Sequence, residues 1–452
     1  MRMTVGEIAA ACGGKLLCGD PDTIITAVST DSRKIEFGTL FVPIIGEKTD
    51  AHHFIGATFA AGAAAALTQE HDGMNDTHAW IRVQNTEQAL QRIAAVYRQR
   101  FHIPFIGITG SVGKTTTKEM VALALSGSLN VMKTEGNFNS QIGLPLTMFR
   151  ISDRHQAAVV EMGMSNFGEM SRLAQIAAPD YAVMTNIGIS HIEQLKTQQN
   201  ILNEKLHITD CFHKDSILFL NGDDALLAGL RGKPGIKILW FGTAPWCDFR
   251  AENIRTAASS THFTLIAPGA SFEVELPALG IHNVTNALAG LAVAKTLGVP
   301  LEKAIAKLAG YRPLAMRQQI HRVNEITVID DSYNASPDAV RSSVDVLCSF
   351  HTGKRVAVLA DMLELGDFSR QAHFDVGVYA AGAGVDAVVT VGERAREIIS
   401  GVRSVRPDAA CYACEDNEEA AAKLKAILTG GDIVLIKGSR AMKTDQIVKA
   451  LL

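Results

Sequence analysis

The sequence predicts an α/β protein of three domains. A small mixed α/β N-terminal domain is expected over residues 1–101. A central P-loop domain with a parallel sheet follows over 102–313, and a C-terminal doubly wound, Rossmann-like domain over 314–452. Three observations carry that expectation. The chain has 452 residues, which corresponds to about three domains of ~150 residues each. Short apolar runs of strand type alternate with helical patterns, as in parallel sheets covered by helices. Several of those runs end in glycine where a helix should begin, most clearly in FIGITGSVGKTTTKEM at 105–120.

Composition narrows the class. Hydrophobic residues make up 47%, enough for substantial cores. The 43 basic and 47 acidic residues give a net charge of −4, which argues against a nucleic-acid partner. Seven scattered cysteines, an odd number, read as reduced intracellular thiols. CYAC at 411–414 is a lone CxxC with no second pair, so no metal is assigned to it. The start MRMTVGEIAAACGGK lacks the apolar core of a signal peptide. No apolar run approaches the ~20 residues of a membrane helix. A cytoplasmic protein with no membrane span is expected.

In the first domain, a helix is expected over 3–12 and strands over 24–28 and 39–44. The small-residue stretch FIGATFAAGAAAAL at 54–67 reads as a helix, as does 86–98, and Pro104 marks a linker. Between the two strands lies STDSRKIEFG. Hydroxyls beside an arginine, Ser32 and Arg33, suit a diphosphate or a ribose, and a solvated turn equally well.

In the central domain, the strand over 105–108 feeds a glycine turn at a helix start. Unpaired backbone N–H groups there converge on one point, which suits a phosphate chain. Lys114 adds a point charge and the Thr115 hydroxyl a ligand for Mg²⁺. The strict template has glycine where Ile108 stands, so GSVGKT is a variant. GNFNSQIG follows, with Asn137, Phe138 and Asn139 in a loop. Next, AAVVEMG is a buried strand ending in Glu161, at the edge where phosphate and metal gather in such sheets. His191 follows the strand over 181–187; a structural role and a site role stand equal. Lys205 lies on a helix over 200–212, where a lysine is ordinarily solvated. Residues 247–276 alternate like an antiparallel edge. Asn286, with His282 and Asn283, opens a helix over 279–298, either as a cap or against a purine.

In the third domain, RPLAMRQQIHRV carries Arg317. A strand to Ile329 then runs into DDSYNASP with Asp331. KRVAVLADMLELG at 354–366 reads as strand then loop, and AVVTVG at 387–392 and DIVLIKGSRAMKTD at 432–445 as strands ending in glycine, so ligands are expected off the C-terminal strand edges. GSRAMK reads as a helix start, with Ser439 and Arg440 forming an anion seat.

TGSVGKTTTKEM, GNFNSQIGLPLT, NIGISHIE with NEKLHI, HNVTNALA, DDSYNASP, DMLELG and KGSRAMK occur in the order seen in the Mur ligases. The chain resembles that family over nearly its whole length. DDSYNASP, DMLELG and the GNFN loop make it most similar to the member that adds D-alanyl-D-alanine. NFNSQIG departs from the usual NFNN at Ser140.

The resemblance implies an ATP-dependent, ADP-producing amide ligase of peptidoglycan precursor synthesis, working as a monomer. It would join UDP-MurNAc-tripeptide to D-alanyl-D-alanine through an acyl phosphate, with ATP and Mg²⁺ as cofactors. It places Gly110, Ser111, Val112, Gly113, Lys114, Thr115 and Thr116 on the nucleotide, with Asn286 at adenine, Arg317 at the γ-phosphate and Asp331 at the ribose. Thr115 and Glu161 would hold one Mg²⁺; His191 and a carbamylated Lys205 would hold a second. Ser32 and Arg33 would bind the uridine diphosphate, and Asn137, Phe138 and Asn139 the peptide. Asp361, Ser439 and Arg440 would receive the dipeptide. The alternatives are another ligase of the superfamily, such as the tripeptide-forming member or folylpolyglutamate synthase, or a P-loop ATPase switch.

Overall fold

A computed structural model describes residues 1–72, 77–233 and 235–452. The chain forms two compact units. One comprises residues 1–109, 128–183 and 204–218; the other comprises 110–127, 184–203 and 219–452. The expected α/β class is observed in both.

The first unit opens on the helix Val5–Cys12. Thr4 and Glu7 form a reciprocal capping box at its start, and Gly13 closes it in the left-handed conformation. A five-stranded sheet follows in the order Lys15–Cys18, Ala79–Arg82, Ala63–Thr68, Thr39–Phe41, Ala27–Ser29, parallel except at the first pair. The helix expected over 54–67 is only half there. Ile55–Ala60 is helical, but Ala63–Thr68 is a strand. Alanine's helix preference loses because this stretch lies between two parallel neighbours, with Ala63, Ala65, Ala66 and Leu67 buried. Propensity is a weak prior against burial on both faces. Further along, Ala157–Glu161 pairs in parallel with both Phe105–Thr109 and Val131–Lys133. All five residues of Phe105–Thr109 are buried.

In the second unit, Lys237–Gly242 runs parallel to Phe249–Thr256, which begins the expected antiparallel edge with Thr261–Ala267 and Ala270–Leu276. The helix Ile281–Thr296 is buried nearly all round, unlike a surface helix with one apolar stripe. It crosses Lys114–Leu125 so closely that a Cβ on Gly290 would stand 3.0 Å from Met120 O.

A six-stranded sheet then forms in the order Gln319–Val323, Ile326–Asp330, Ile433–Lys437, Arg355–Ala360, Ala387–Val391, Ala410–Cys414. Only its first pair is antiparallel. Its middle strands are the buried apolar runs that a sheet covered on both faces requires. The helix expected at GSRAMK is not there. A 3-10 turn, Arg440–Met442, stops at left-handed Lys443, and the helix Asp445–Leu451 starts after it. Among the described residues no helix is long and apolar enough to cross a membrane.

Candidate active site

The phosphate loop is built on backbone that only glycine takes easily. Gly110 has φ +146°, and a Cβ there would stand 1.9 Å from Thr185 Oγ1. Ile108, at the template's first glycine place, is buried within the strand. The turn therefore starts two residues later than the template would have it. Asn186 braces the loop from behind. Its carbonyl accepts from Ser111 N at 3.0 Å and its Oδ1 from Val112 N at 2.8 Å. Thr185 Oγ1 donates to Val112 O at 2.5 Å, and Gly188 N donates to Ser111 Oγ at 2.9 Å. Ser111 and Val112 thus have their own amides engaged and serve to hold the loop. The helix Lys114–Leu125 begins without a side-chain cap, so its first N–H groups are the ones suited to an anion. Lys114 Nζ lies across the loop, 2.9 Å from Gly110 O and 3.2 Å from Ser111 O.

Two distant residues come onto this loop. Arg317 Nη2 donates to Thr115 Oγ1 at 3.0 Å, with its guanidinium 4.1 Å from the centre of the Tyr333 ring. Met316 and Gln318 on either side of it are left-handed, at φ +61° and +54°. Asn286 Oδ1 accepts from Thr117 Oγ1 at 2.9 Å and faces Gly113. Neither Asn283 nor Asn286 caps its helix, because Gly280 holds that place; both point into the protein. Beside the loop, Tyr311 is bonded to Thr116, and burial first, then Glu119, pushes its hydroxyl up to about 12.

Asp331 is held rather than open. Lys437 Nζ donates to its Oδ2 at 2.5 Å and Ser343 Oγ at 2.6 Å, while Lys437 also reaches Asn334 O at 3.1 Å. The pair is buried. Lys437 escaped the sequence reading, although a charge ending the apolar strand IVLIK is the signal that marks it.

His191 is left-handed, at φ +61°, and its Nδ1 lies 2.6 Å from Glu364 Oε2. The contact is close in distance but lacks hydrogen-bond geometry. The histidine holds the Glu364 carboxyl below its usual range. In the same loop Asp361 Oδ1 accepts from Ala395 N at 2.7 Å, and Ser439 Oγ accepts from Leu363 N at 3.0 Å. Arg440 turns outward to Asp445 at 3.2 Å.

In the first unit, Glu161 is buried at the end of its strand. Asn139 Nδ2 donates to Oε1 at 2.7 Å, and Glu161 N donates to Thr134 Oγ1 at 3.0 Å. Its Oε2 is buried with no hydrogen-bond partner. Buried carboxylate oxygens are rarely left so, and a hard cation such as Mg²⁺ is the partner that fits. Lys205, on the helix Gln198–Leu206, is 2% exposed, which sets aside the solvated reading. The neighbouring Glu204, which the sequence did not single out, fixes the helix by accepting from Gly168 N and Met170 N, both at 2.9 Å.

The remaining candidate residues lie toward the surface. Phe138 is 46% exposed and Asn137 is exposed. Arg33 grips Asp31 with two bonds, at 2.8 and 3.0 Å, and Ser32 lies between them in the chain. Arg33 holds the Asp31 carboxyl at about 2.

Comparison with known proteins follows the same segments. The chain matches the Mur ligase family catalytic domain over residues 24–98, the Mur ligase middle domain over 108–294 and the Mur ligase glutamate ligase domain over 316–440. It is 36% identical to the UDP-N-acetylmuramoyl-tripeptide–D-alanyl-D-alanine ligase of Bacillus subtilis (strain 168), covering 100% of this chain and 99% of that protein. The crystal structure of MurF from Acinetobacter baumannii superposes with a TM-score of 0.92 at 30% identity, covering 100% and 99% of the two chains. MurF ligase from Thermotoga maritima, in complex with ADP, gives 0.85 at 29% identity over 94% and 96%.

Proposed function

We propose the following reaction for this chain, which belongs to the Mur ligase family. It joins D-alanyl-D-alanine to the terminal carboxylate of UDP-MurNAc-tripeptide with ATP, giving UDP-MurNAc-pentapeptide, ADP and phosphate for peptidoglycan synthesis. The observation that carries this reading is 36% and 32% identity, over the full length of this chain, to relatives named for that activity. The division into 1–101, 102–313 and 314–452 is proposed to assign UDP-substrate, ATP and dipeptide to successive domains.

The chemistry explains the residues. A carboxylate repels an attacking amine pair and has no usable leaving group. Transfer of the γ-phosphoryl group gives an acyl phosphate; the amine adds to its carbonyl, loses a proton, and phosphate leaves. Lys114 within the loop and Arg317, whose guanidinium bonds Thr115 from 202 residues further on, are assigned to meet charge spreading over the transferred oxygens. Thr115 and the orphaned oxygen of Glu161 would hold one Mg²⁺ and His191 would help hold a second, and the ions would supply positive charge against the phosphates. Asn286 is assigned to adenine and Asp331, steadied by Lys437, to the ribose. A carbamate on buried Lys205 would turn a cation into a carboxylate ligand. Ser32 and Arg33 are assigned to the uridine diphosphate, Asn137, Phe138 and Asn139 to the peptide, and Asp361, Ser439 and Arg440 to the dipeptide.

The test is a product assay. The chain with ATP, Mg²⁺ and UDP-MurNAc-tripeptide should release orthophosphate with D-alanyl-D-alanine and not with meso-diaminopimelate, L-lysine or glutamate. Mass spectrometry should find the UDP-pentapeptide. Hydrolysis without a joined product would favour an ATPase switch. Lys205→Ala should abolish turnover, and bicarbonate should not restore it; a near-normal rate would remove the carbamate from the scheme.

A further inference from the structure

We propose that Glu364 is a positioning residue that orients His191 in the phosphate site, a role resting on the reading of His191 given above. The loop after the strand Arg355–Ala360 is bolted down on every side but one. Asp361 accepts from Ala395 N at 2.7 Å, Met362 N donates to His373 Nε2 at 2.9 Å, and Leu363 N donates to Ser439 Oγ at 3.0 Å. Met362 and Leu365 are buried, at 0% and 1% exposure. Between them Glu364 takes φ +62°, a left-handed conformation that is unfavourable for a residue bearing a Cβ. The effect is to turn its side chain outward, 57% exposed, with Oε2 at 2.6 Å from His191 Nδ1.

The histidine arrives in the same strained way, at φ +61°. Two left-handed non-glycine residues facing each other from separate segments imply that something over-determines both. A second contact keeps the segments in register: a Cβ on Gly366 would stand 3.1 Å from Glu193 Cγ. A carboxylate on one imidazole nitrogen fixes which tautomer the ring adopts. It leaves the other nitrogen's lone pair for a cation, and such outer partners typically matter 10–100-fold to metal affinity. Nδ1–H would donate to Oε2, already 2.6 Å away, once the ring turns into line. The same loop carries Asp361, so the dipeptide seat and His191 are joined through one short segment.

The test compares Glu364→Ala, Glu364→Gln and Glu364→Asp with the parent. Mn²⁺ affinity is read by electron paramagnetic resonance in the presence of ADP, and kcat and KM are measured separately for each substrate. Glu364→Ala should weaken Mn²⁺ binding and lower kcat by about tenfold each, with KM for UDP-MurNAc-tripeptide unchanged. Glu364→Gln, which can still accept the Nδ1 hydrogen, should recover most of both. The Mn²⁺ readout needs no ligase turnover, so it stands even if the substrate assignment fails. Mn²⁺ affinity within twofold of the parent in Glu364→Ala, or a lower kcat with unchanged Mn²⁺ affinity, overturns the proposal. So does Glu364→Gln behaving no better than Glu364→Ala.

Discussion

The phosphate loop and the Ser32–Arg33 turn present the same chemistry in the sequence, small polar residues beside a cation, yet they are built in opposite ways. The loop is preformed: Asn186, Thr185 and Gly188 tie it from behind, and Arg317 and Asn286 come to it from far along the chain. The turn is satisfied by itself. Arg33 is 86% exposed and its guanidinium is already taken by Asp31 two residues away. A seat for a charge that develops during reaction needs fixed dipoles, whereas an exposed turn that satisfies itself is free to rearrange. The difference is one of preorganisation rather than of residue type.

The comparison breaks first at Lys114. Lys114→Ala should lower kcat by on the order of 10³-fold while leaving the melting temperature nearly unchanged, as for a charge that acts on the transition state. A loss below tenfold would mean the loop is no more committed than the turn. Stability gives the next largest effect. Lys437→Ala strands the buried carboxylate of Asp331 and should cost about 3–5 kcal/mol in urea unfolding. A double variant with Asp331→Asn should recover part of that cost.

The preformed side also predicts a pH response. Buried His373 accepts from Met362 N through Nε2, and burial lowers its pKa below 6.5. It stays neutral in the fold while the unfolded chain takes up a proton, so its contribution is complete above about pH 6.5 and is lost as pH falls below that. The slope of unfolding free energy should approach, at most, about 1.4 kcal/mol per pH unit, and His373→Gln should flatten it. The smallest effect belongs to the turn. Arg33→Ala should leave the melting temperature within about 2 °C and raise KM for UDP-MurNAc-tripeptide several-fold with kcat unchanged. A fall in kcat would move Arg33 to the preformed class.

Some of this architecture was legible directly. The strand, glycine turn and helix around Lys114, the buried strand ending in Glu161 and the antiparallel edge over 249–276 all follow from local pattern. Other parts were not. The alanine run at 63–68 reads as helix until its parallel neighbours are known. Lys437 and Glu204 look like ordinary charged residues until each is found buried against its partner.

The sequence by itself determined the fold class, the phosphate loop and the membership of the Mur ligases, because glycine spacing, apolar periodicity and ordered motifs are carried by residues close together in the chain. Only the tertiary structure decided that Arg317 meets Thr115 across 202 positions, that Lys437 holds Asp331 across 106, and that Glu364 faces His191. Those pairings depend on how sheets and helices stack, and burial is what makes each one matter. A charge of the same identity left in water would be worth little.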